Sequence, residues 1–330
     1  MTNTAGPLME CVANFSEGRD TTVIAAIARA IQDVPGQQLL HQDISPSANR
    51  TVMTFAGRPE AVTEAAFEAI KTAAERIDMA VQTGAHPRIG ATDVCPLIPL
   101  AQLSIEEAVV YAEALGRRVG TELGIPVYLY EHAAKAGYRR TLPAIRKGQY
   151  EGLQYKMQQE GWQPDYGYAP GSIRVAHTGA TVIGVRDVLV AFNISLDTRD
   201  ENIAATIARK MRSIGGGLPA LRAIGWYMED FDCAQVSMNL LDYRITSPLT
   251  VWETCKTLAA EYGVQPTGCE VIGLIPEACV TEAGSAALQG DAPVAELVAA
   301  GISYLGLDRV KPFVPGAKIL EYALQAAGLF

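Results

Sequence analysis

One segment of the chain holds three side chains that can take part in chemistry. It reads Gly84-Ala85-His86-Pro87-Arg88-Ile89-Gly90-Ala91-Thr92-Asp93 and runs directly into an apolar, strand-like stretch. Glycine and proline restrict this loop, and loops at strand ends commonly hold side chains toward a ligand. An imidazole titrates near neutrality and can accept and return a proton. We therefore predict His86 as a proton-transfer residue, with Arg88 and Asp93 beside it as binding residues.

Two more polar clusters interrupt the apolar pattern of the first half. One is Asn14-Phe15-Ser16-Glu17-Gly18-Arg19-Asp20, and the other is Asp43-Ile44-Ser45-Pro46-Ser47-Ala48-Asn49-Arg50-Thr51. Both lie in connections that leave strand-like runs, where α/β folds bind ligands. Three residues can equally well cap a helix or close a turn: Ser16, Asp20 and Ser47. We predict binding roles for these: Asn14, Glu17, Asp43, Asn49 and Arg50.

The two arginines near these clusters suit an anionic ligand. A guanidinium binds a carboxylate through a bidentate pair of hydrogen bonds, so Arg50 and Arg88 are candidates for carboxylate recognition. Loss of either is expected to weaken substrate use by about 2 kcal/mol. The other histidines, His41, His132 and His177, are interpreted as surface residues.

Other well-known chemical motifs are missing from the sequence. It has no dinucleotide-binding glycine fingerprint, phosphate-loop lysine or nucleophile elbow, and Gly215-Gly216-Gly217 is interpreted as a helix exit. The six cysteines form no Cys-x-x-Cys pair and have no zinc-type spacing to histidine. We predict reduced thiols, an inert Cys95 in the core, and no metal site.

The overall composition limits the partners of the protein. The chain has 330 residues, is 49% hydrophobic and carries a formal net charge of -9. This acidity argues against nucleic acid or an anionic membrane as the main partner. The first residues lack a secretory pattern, and no apolar run approaches the length of a membrane span. A cytoplasmic location is the expectation.

Strand-like and helix-like segments alternate along the chain. In the first half the predicted strands are Leu8–Ala13, Gln37–Asp43, Thr51–Phe55, Thr92–Ile98 and Ile125–Tyr130. The predicted helices are Thr21–Gln32 with Asp20 as N-cap, Pro59–Ile77 and Ile105–Leu123. Residues 137–177 show little periodicity, which predicts a long loop or linker.

The second half repeats the theme after a predicted hairpin. Strands Ala180–Gly184 and Val188–Ile194 flank its turn, Val185-Arg186-Asp187. Further strands are predicted at Ala223–Met228, Gln235–Tyr243 and Cys269–Leu274, and helices at Glu201–Arg212, Thr250–Tyr262 and Ala317–Ala326. Some neighbouring strands have connections too short for a helix, so mixed sheets are expected. We predict an α/β (α+β) fold of two subdomains, residues 1–187 and 188–330, without an exact sequence repeat.

The sequence strings resemble the formiminotransferase domain of glutamate formiminotransferase, which also occurs fused to a cyclodeaminase. The matching strings run in family order from Glu10 to Leu240: 10–19, 49–52, 86–91, 93–96, 126–130, 142–146, 191–194, 225–227 and 235–240. They are long and mixed in composition, so the resemblance is specific.

The resemblance implies two subdomains whose mixed sheets, covered by helices, face each other across a folate-binding cleft, and a homodimer. It implies that His86 is catalytic and that Asp43 assists it. Further folate- or substrate-binding candidates are Thr178, Gly179, Asn193 and Asn239. Gly167–Thr178 is longer than the family's folate-contacting loop and carries Arg174 and His177 where apolar residues are expected. Because the cyclodeaminase part is missing after Phe330, the expectation is a monofunctional protein.

The implied reaction moves a formimino group between N-formimino-L-glutamate and tetrahydrofolate, as in histidine degradation and one-carbon metabolism. Tetrahydrofolate is then a co-substrate. His86 takes a proton from the attacking nitrogen and returns it to the departing one, while Asp43 stabilises the cationic formimino group or orients the imidazole. Two alternatives stay open: a 5-formyltetrahydrofolate:glutamate formyltransferase and a non-catalytic folate-binding protein.

Overall fold

A computed structural model describes residues 6–167 and 173–329 of the chain. The chain divides into two compact units, Met1–Arg186 and Asp187–Gly328. Each is described by itself below. The cleft predicted between the two sheets stays a prediction.

The first unit is built on a six-stranded sheet in the order β2-β3-β1-β4-β6-β5. Its strands are β1 Leu8–Phe15, β2 Gln37–Ser45, β3 Arg50–Gly57, β4 Thr92–Ala101, β5 Val127–Glu131 and β6 Thr181–Val185. Its helices are α1 Thr21–Gln32, α2 Pro59–Arg76, α3 Ile105–Glu122, α4 Leu142–Arg146, α5 Gln149–Met157 and α6 Ile173–Thr178. Strands β1 to β4 pair antiparallel, whereas β6 runs parallel to both β4 and β5.

The second unit is built on a four-stranded sheet in the order β10-β7-β9-β8. Its strands are β7 Val190–Leu196, β8 Leu221–Met228, β9 Cys233–Leu240 and β10 Pro266–Ile272. Its helices are α7 Glu201–Met211, α8 Pro248–Ala260, α9 Glu277–Leu288, α10 Val294–Leu305, α11 Pro315–Lys318 and α12 Leu320–Ala326.

The two units share one topology although their sequences do not repeat. In each, the strand and helix order is βαββαβ, and the first strand lies between the third and the fourth. This split arrangement places an antiparallel strand between the two parallel strands that each crossover helix connects. The same arrangement explains why the second sheet is antiparallel throughout its described pairs. The prediction that this sheet is mixed is therefore wrong. The α/β class with two helix-covered sheets is confirmed.

The two faces of the first sheet differ in polarity. On one face, side chains such as Met9, Phe15 and Phe55 pack with helices α1 to α3 in the main apolar core. On the other face, the β4-β6-β5 part is covered by α4, α5 and α6 through a smaller cluster that includes Tyr128 and Val182. The β2-β3-β1 part of that same face carries polar side chains, namely His41, Asp43, Arg50 and Asn14. We call it the polar face.

Several predicted elements need correction. The segment predicted as a long loop, 137–177, holds helices α4, α5 and α6 where it is described, and residues 168–172 of it lie outside the described residues. These helices are short and begin near proline or glycine, so they lack a readable period. The predicted hairpin around Val185-Arg186-Asp187 is also wrong, because β6 and β7 belong to different sheets.

The last part of the chain is more helical than predicted. Helices α9 and α10 have no counterpart in the prediction, and the predicted helix Ala317–Ala326 is interrupted between α11 and α12 at Ile319. By contrast, α1 has the predicted bounds, and Asp20 caps it by accepting hydrogen bonds from the backbone of Thr22 and Val23. No helix in residues 6–167 and 173–329 has the length and apolarity to cross a membrane.

Candidate active site

A β-bulge in β2 decides which way Asp43 points. Leu39 lies opposite Phe55 and His41 lies opposite Thr54, so Leu40 is an extra residue without its own partner on β3. An extra residue moves every later side chain of a strand to the opposite face. Asp43 therefore shares the polar face with His41 instead of pointing toward the helices.

The polar face brings Asp43 and Asn14 into one row across three strands. Asp43 pairs with Val52 of β3, which pairs in turn with Asn14 of β1. Two strand spacings separate the two residues by about 10 Å. Arg50 stands two residues before Val52 and so projects from the same face. Asn14 donates to the Val12 carbonyl at 3.3 Å and lies within the strand, not in the predicted loop.

Asn49 joins the three loops at this end of the sheet. Its side-chain oxygen accepts from the Gly18 amide at 2.9 Å, and its side-chain nitrogen donates to the Thr83 carbonyl at 2.8 Å. The residue is buried and has a φ of 47°, in the left-handed region that asparagine tolerates. Since both ends of the amide bind backbone, the geometry favours a loop-positioning role over direct ligand contact.

Glycines allow these loops to pack without space between them. A Cβ on Gly18 would lie 2.3 Å from the Ser45 carbonyl oxygen, and one on Gly84 would lie 2.4 Å from the Ala48 carbonyl oxygen. Both loops therefore pack directly on the β2–β3 turn. Glu17 closes its own loop, because its carboxylate accepts from the backbone amides of Arg19 and Asp20 at 2.7 and 2.9 Å. It is used locally, which favours a structural role for it.

His86 lies in the loop before β4, beside two guanidinium groups. Burial of the imidazole lowers the pKa of His86 well below its ordinary value, and the positive charges of Arg50 and Arg146 lower it further. A hydrogen bond to the Pro87 backbone opposes this effect without cancelling it. The lowered pKa favours the neutral imidazole, which is the form that can accept a proton.

Arg146 and Asp93 form a buried ion pair under the His86 loop. The Nη2 atom of Arg146 bonds to Oδ2 of Asp93, and its Nε lies 3.3 Å from Oδ1. Their side chains are 17% and 2% exposed. Asp93 Oδ1 also accepts from the Ile89 amide at 2.9 Å, so one carboxylate fixes both the loop and the arginine beside His86. Asp93 is thus bound by Arg146 and the loop backbone, and the ligand-binding role predicted for it stays a prediction.

Arg88 is fully engaged by protein groups. Its guanidinium holds the Glu151 carboxylate in a bidentate pair at 2.7 and 3.0 Å, and Nε donates to Gln82 Oε1 at 2.8 Å. The same guanidinium also reaches the Gln82 carbonyl and Gln149 Oε1. The residue is 7% exposed. With its donors used in this way, Arg88 connects the His86 loop to α5. This geometry does not favour the carboxylate-binding role predicted for Arg88.

Thr178 and Gly179 support the His86 loop from α6. The Thr178 carbonyl accepts from the Ala91 amide at 2.8 Å, and its hydroxyl donates to the Arg174 carbonyl at 2.9 Å. Gly179 has a φ of 65° and packs so closely that a Cβ would lie 2.1 Å from the Ile89 carbonyl oxygen. Both residues hold the loop. Residues 168–172 of the predicted folate loop lie outside the described part of the chain.

The last two predicted residues belong to the second unit. Asn193 and Asn239 lie on neighbouring strands, on the sheet face opposite the apolar core of that unit. Asn193 is 3% exposed and donates to Glu270 Oε2 at 3.2 Å, whereas Asn239 is exposed. Glu270 also binds Lys311 at 2.6 Å. Asn193 therefore belongs to a polar network, and Asn239 is the more accessible amide.

Two residues of the candidate site were missed by the sequence interpretation. His41, interpreted as a surface residue, has a side chain only 16% exposed and hydrogen-bonded to Asp43 at 3.0 Å. Its spacing of two residues from Asp43 on a strand was the available signal. Arg146 was read only as part of a matching string, and its partner Asp93 lies 53 residues away in the chain. His132 is exposed as predicted, and Cys95 is a buried core residue as predicted.

Comparison with known proteins places the chain in a family. Residues 8–186 match the formiminotransferase domain, N-terminal subdomain, and residues 191–325 match the formiminotransferase domain. The chain belongs to the formiminotransferase family. The two matched formiminotransferase regions meet where the structure separates the two units.

Individual relatives are similar over most of the chain. A protein of Streptococcus pyogenes serotype M1 named glutamate formimidoyltransferase is 42% identical over 86% of this chain and 93% of its own length. A protein of the same name from Thermoplasma acidophilum is 42% identical over 86% of this chain and 92% of its own. Mouse formimidoyltransferase-cyclodeaminase is 44% identical over 97% of this chain, but the match spans only 60% of that relative.

Proposed function

We propose that the protein is a glutamate formimidoyltransferase, which transfers the formimino group between N-formimino-L-glutamate and tetrahydrofolate. The observation that carries this proposal is the position of His86 in the loop before β4 of a formiminotransferase domain, with Arg50 and Arg146 among the groups that lower its pKa. The printed names of the two microbial relatives support the same activity. Among the described residues there is no cluster of metal-binding side chains, and the proposed chemistry needs none.

His86 suits a reaction in which a proton is transferred twice, first to its imidazole and then from it. N5 of tetrahydrofolate attacks the formimino carbon and forms the new C–N bond, and the neutral imidazole accepts the N5 proton. The C–N bond to the glutamate nitrogen then breaks, and the imidazolium returns the proton to that nitrogen. The reverse reaction uses the same two steps. The lowered pKa of His86 keeps the accepting form available and makes the imidazolium a ready donor.

Charges near His86 fit the anionic and cationic parts of the substrates. Arg50 and Arg146 bring positive charge to a protein of net charge -9, as binding of carboxylates requires. Arg50 projects from the polar face and is our candidate for direct contact with a carboxylate, whereas Arg146 binds Asp93. Asp43, on the polar face, is assigned to stabilise the cationic formimino group.

A donor-comparison assay tests the proposal. The protein is incubated with tetrahydrofolate and either N-formimino-L-glutamate or N-formyl-L-glutamate, and the folate adducts are separated and measured. The expected result is 5-formiminotetrahydrofolate from the formimino donor at the higher kcat/KM. A preference for the formyl donor would support the formyltransferase alternative, and folate binding without turnover would support a binding protein.

Location and assembly are also proposals. A cytoplasmic homodimer follows from the sequence pattern and the family resemblance. Light scattering of the purified protein measures the assembly, and a mass near twice 35.3 kDa is expected. A monomer at assay concentration would contradict it.

A further inference from the structure

We propose that His41 is a positioning residue for formimino transfer, because its imidazole holds the Asp43 carboxylate on the polar face. This inference rests on the proposed function, in which Asp43 faces the cationic formimino group. His41 Nε2 lies 3.0 Å from Asp43 Oδ2, and the two side chains are 16% and 11% exposed. A hydrogen bond of this length between two largely buried groups fixes the direction of both.

The bond also determines which nitrogen of His41 carries a proton. An ionised carboxylate can only accept hydrogen bonds, so Nε2 of His41 must donate to it. The proton between the two side chains then lies on Nε2, and the carboxylate keeps its negative charge. The bond uses one lone pair of Oδ2. His41 thus orients the charge without removing it.

The bulge in β2 places His41 and Asp43 where they can pair. The bulge at Leu40 moves His41 and Asp43 together onto the polar face, where side chains two residues apart lie side by side. Without the extra residue, both would point toward helices α1 and α2. Bulges of this kind commonly re-aim side chains near functional sites. The exposed neighbour Gln42 points to the other face of the same edge strand.

Three variants separate positioning from general support of the strand. His41→Gln keeps an amide N–H that can donate to Asp43, whereas His41→Phe keeps a ring without a donor. Gln42→Ala perturbs the same strand on the face that the pair does not use and serves as the matched control. Thermal unfolding of all three confirms that the fold is retained.

The expected result is a lower kcat with little change in KM. His41→Phe should lower kcat by about tenfold or more, since a charged hydrogen bond is lost, while KM for tetrahydrofolate changes little. His41→Gln should recover most of that loss, and Gln42→Ala should match the wild type. Wild-type kcat in His41→Phe would overturn the proposal. Equal loss in both His41 variants would also overturn it, because support of the strand alone would then explain the effect.

A spectroscopic readout tests the pair without any turnover. In 15N-labelled protein the His41 ring signals are assigned by their loss in His41→Gln. The expected spectrum has the proton on Nε2, and Asp43→Asn should shift that resonance because the charged acceptor is gone. An unchanged His41 signal in Asp43→Asn would overturn the pair. If the wild type is inactive but the shift occurs, the proposed function fails while the His41–Asp43 contact stands.

Discussion

Replacing Arg146 with glutamine should both destabilise the protein and change the pH dependence of its activity. The change leaves the Asp93 carboxylate 2% exposed, with the Ile89 amide as its remaining described donor. Removing one partner of a buried ion pair costs 3–5 kcal/mol. Because the Arg146 side chain is 17% exposed, we expect the lower end, about 3 kcal/mol. For a unit of this size that is a fall in Tm of about 6–12 °C.

The pH effect follows from the charge of Arg146 beside His86. Burial and the two arginines disfavour the imidazolium, so the wild type should keep activity as pH falls through the ordinary histidine range and lose it only below. Without Arg146 one of these causes is removed, and the pKa of His86 rises toward its ordinary value. The acid limb of kcat/KM should therefore move to higher pH in Arg146→Gln.

Calorimetry and pH–rate profiles measure the two effects, and two further variants control them. Arg140→Gln removes an exposed arginine that lies 4.0 Å from Glu131, and it should change stability by less than about 1 kcal/mol. The double variant Asp93→Asn/Arg146→Gln should be more stable than the sum of the single effects predicts, because no uncompensated charge stays buried. A wild-type Tm with an unmoved acid limb in Arg146→Gln would refute the reasoning.

Three further predictions concern the loops and the bulge. Arg88→Ala should lower the free energy of unfolding by about 2 kcal/mol, with little change in KM for the amino-acid substrate; a large KM effect would restore its predicted binding role. Gly18→Ala should cost about 1–3 kcal/mol, since its Cβ would meet the Ser45 carbonyl oxygen at 2.3 Å; unchanged stability by denaturant titration would show that the turn yields. Deleting Leu40 should turn Asp43 to the helix side and lower kcat by about a hundredfold, whereas Leu40→Ala keeps the bulge and should stay active.

The parts of the fold with a strong period were predictable from the sequence. Helix α1 has isoleucines at helical spacing and an aspartate side chain that caps its N-terminus, and both features are visible in the sequence. Helices α4 and α5 could not be found in this way. They are short and weakly patterned, and they become stable by packing residues such as Ile145 and Leu153 on distant strands.

The loops of the candidate site could be located from the sequence, but the contacts of its side chains could not. His86 was identified from its loop, because glycine and proline spacing is visible in a sequence. The contacts of Arg88 could not be predicted, since its partner Glu151 lies 63 residues away and is brought close only by the fold. The bulge at Leu40 could not be predicted from the sequence, because an extra apolar residue in a strand looks like ordinary β sequence. The pairing of His41 with Asp43 depends on that bulge.

The rate of formimino transfer in His86→Gln, measured across pH beside the wild type, tests the central claim most directly. Glutamine keeps hydrogen bonding but cannot titrate, so the variant should fold and bind folate while losing two to four powers of ten in rate. Its profile should also lack the acid limb that protonation of His86 gives the wild type. A His86→Gln enzyme with wild-type turnover and an unchanged acid limb would contradict the role of His86 in proton transfer.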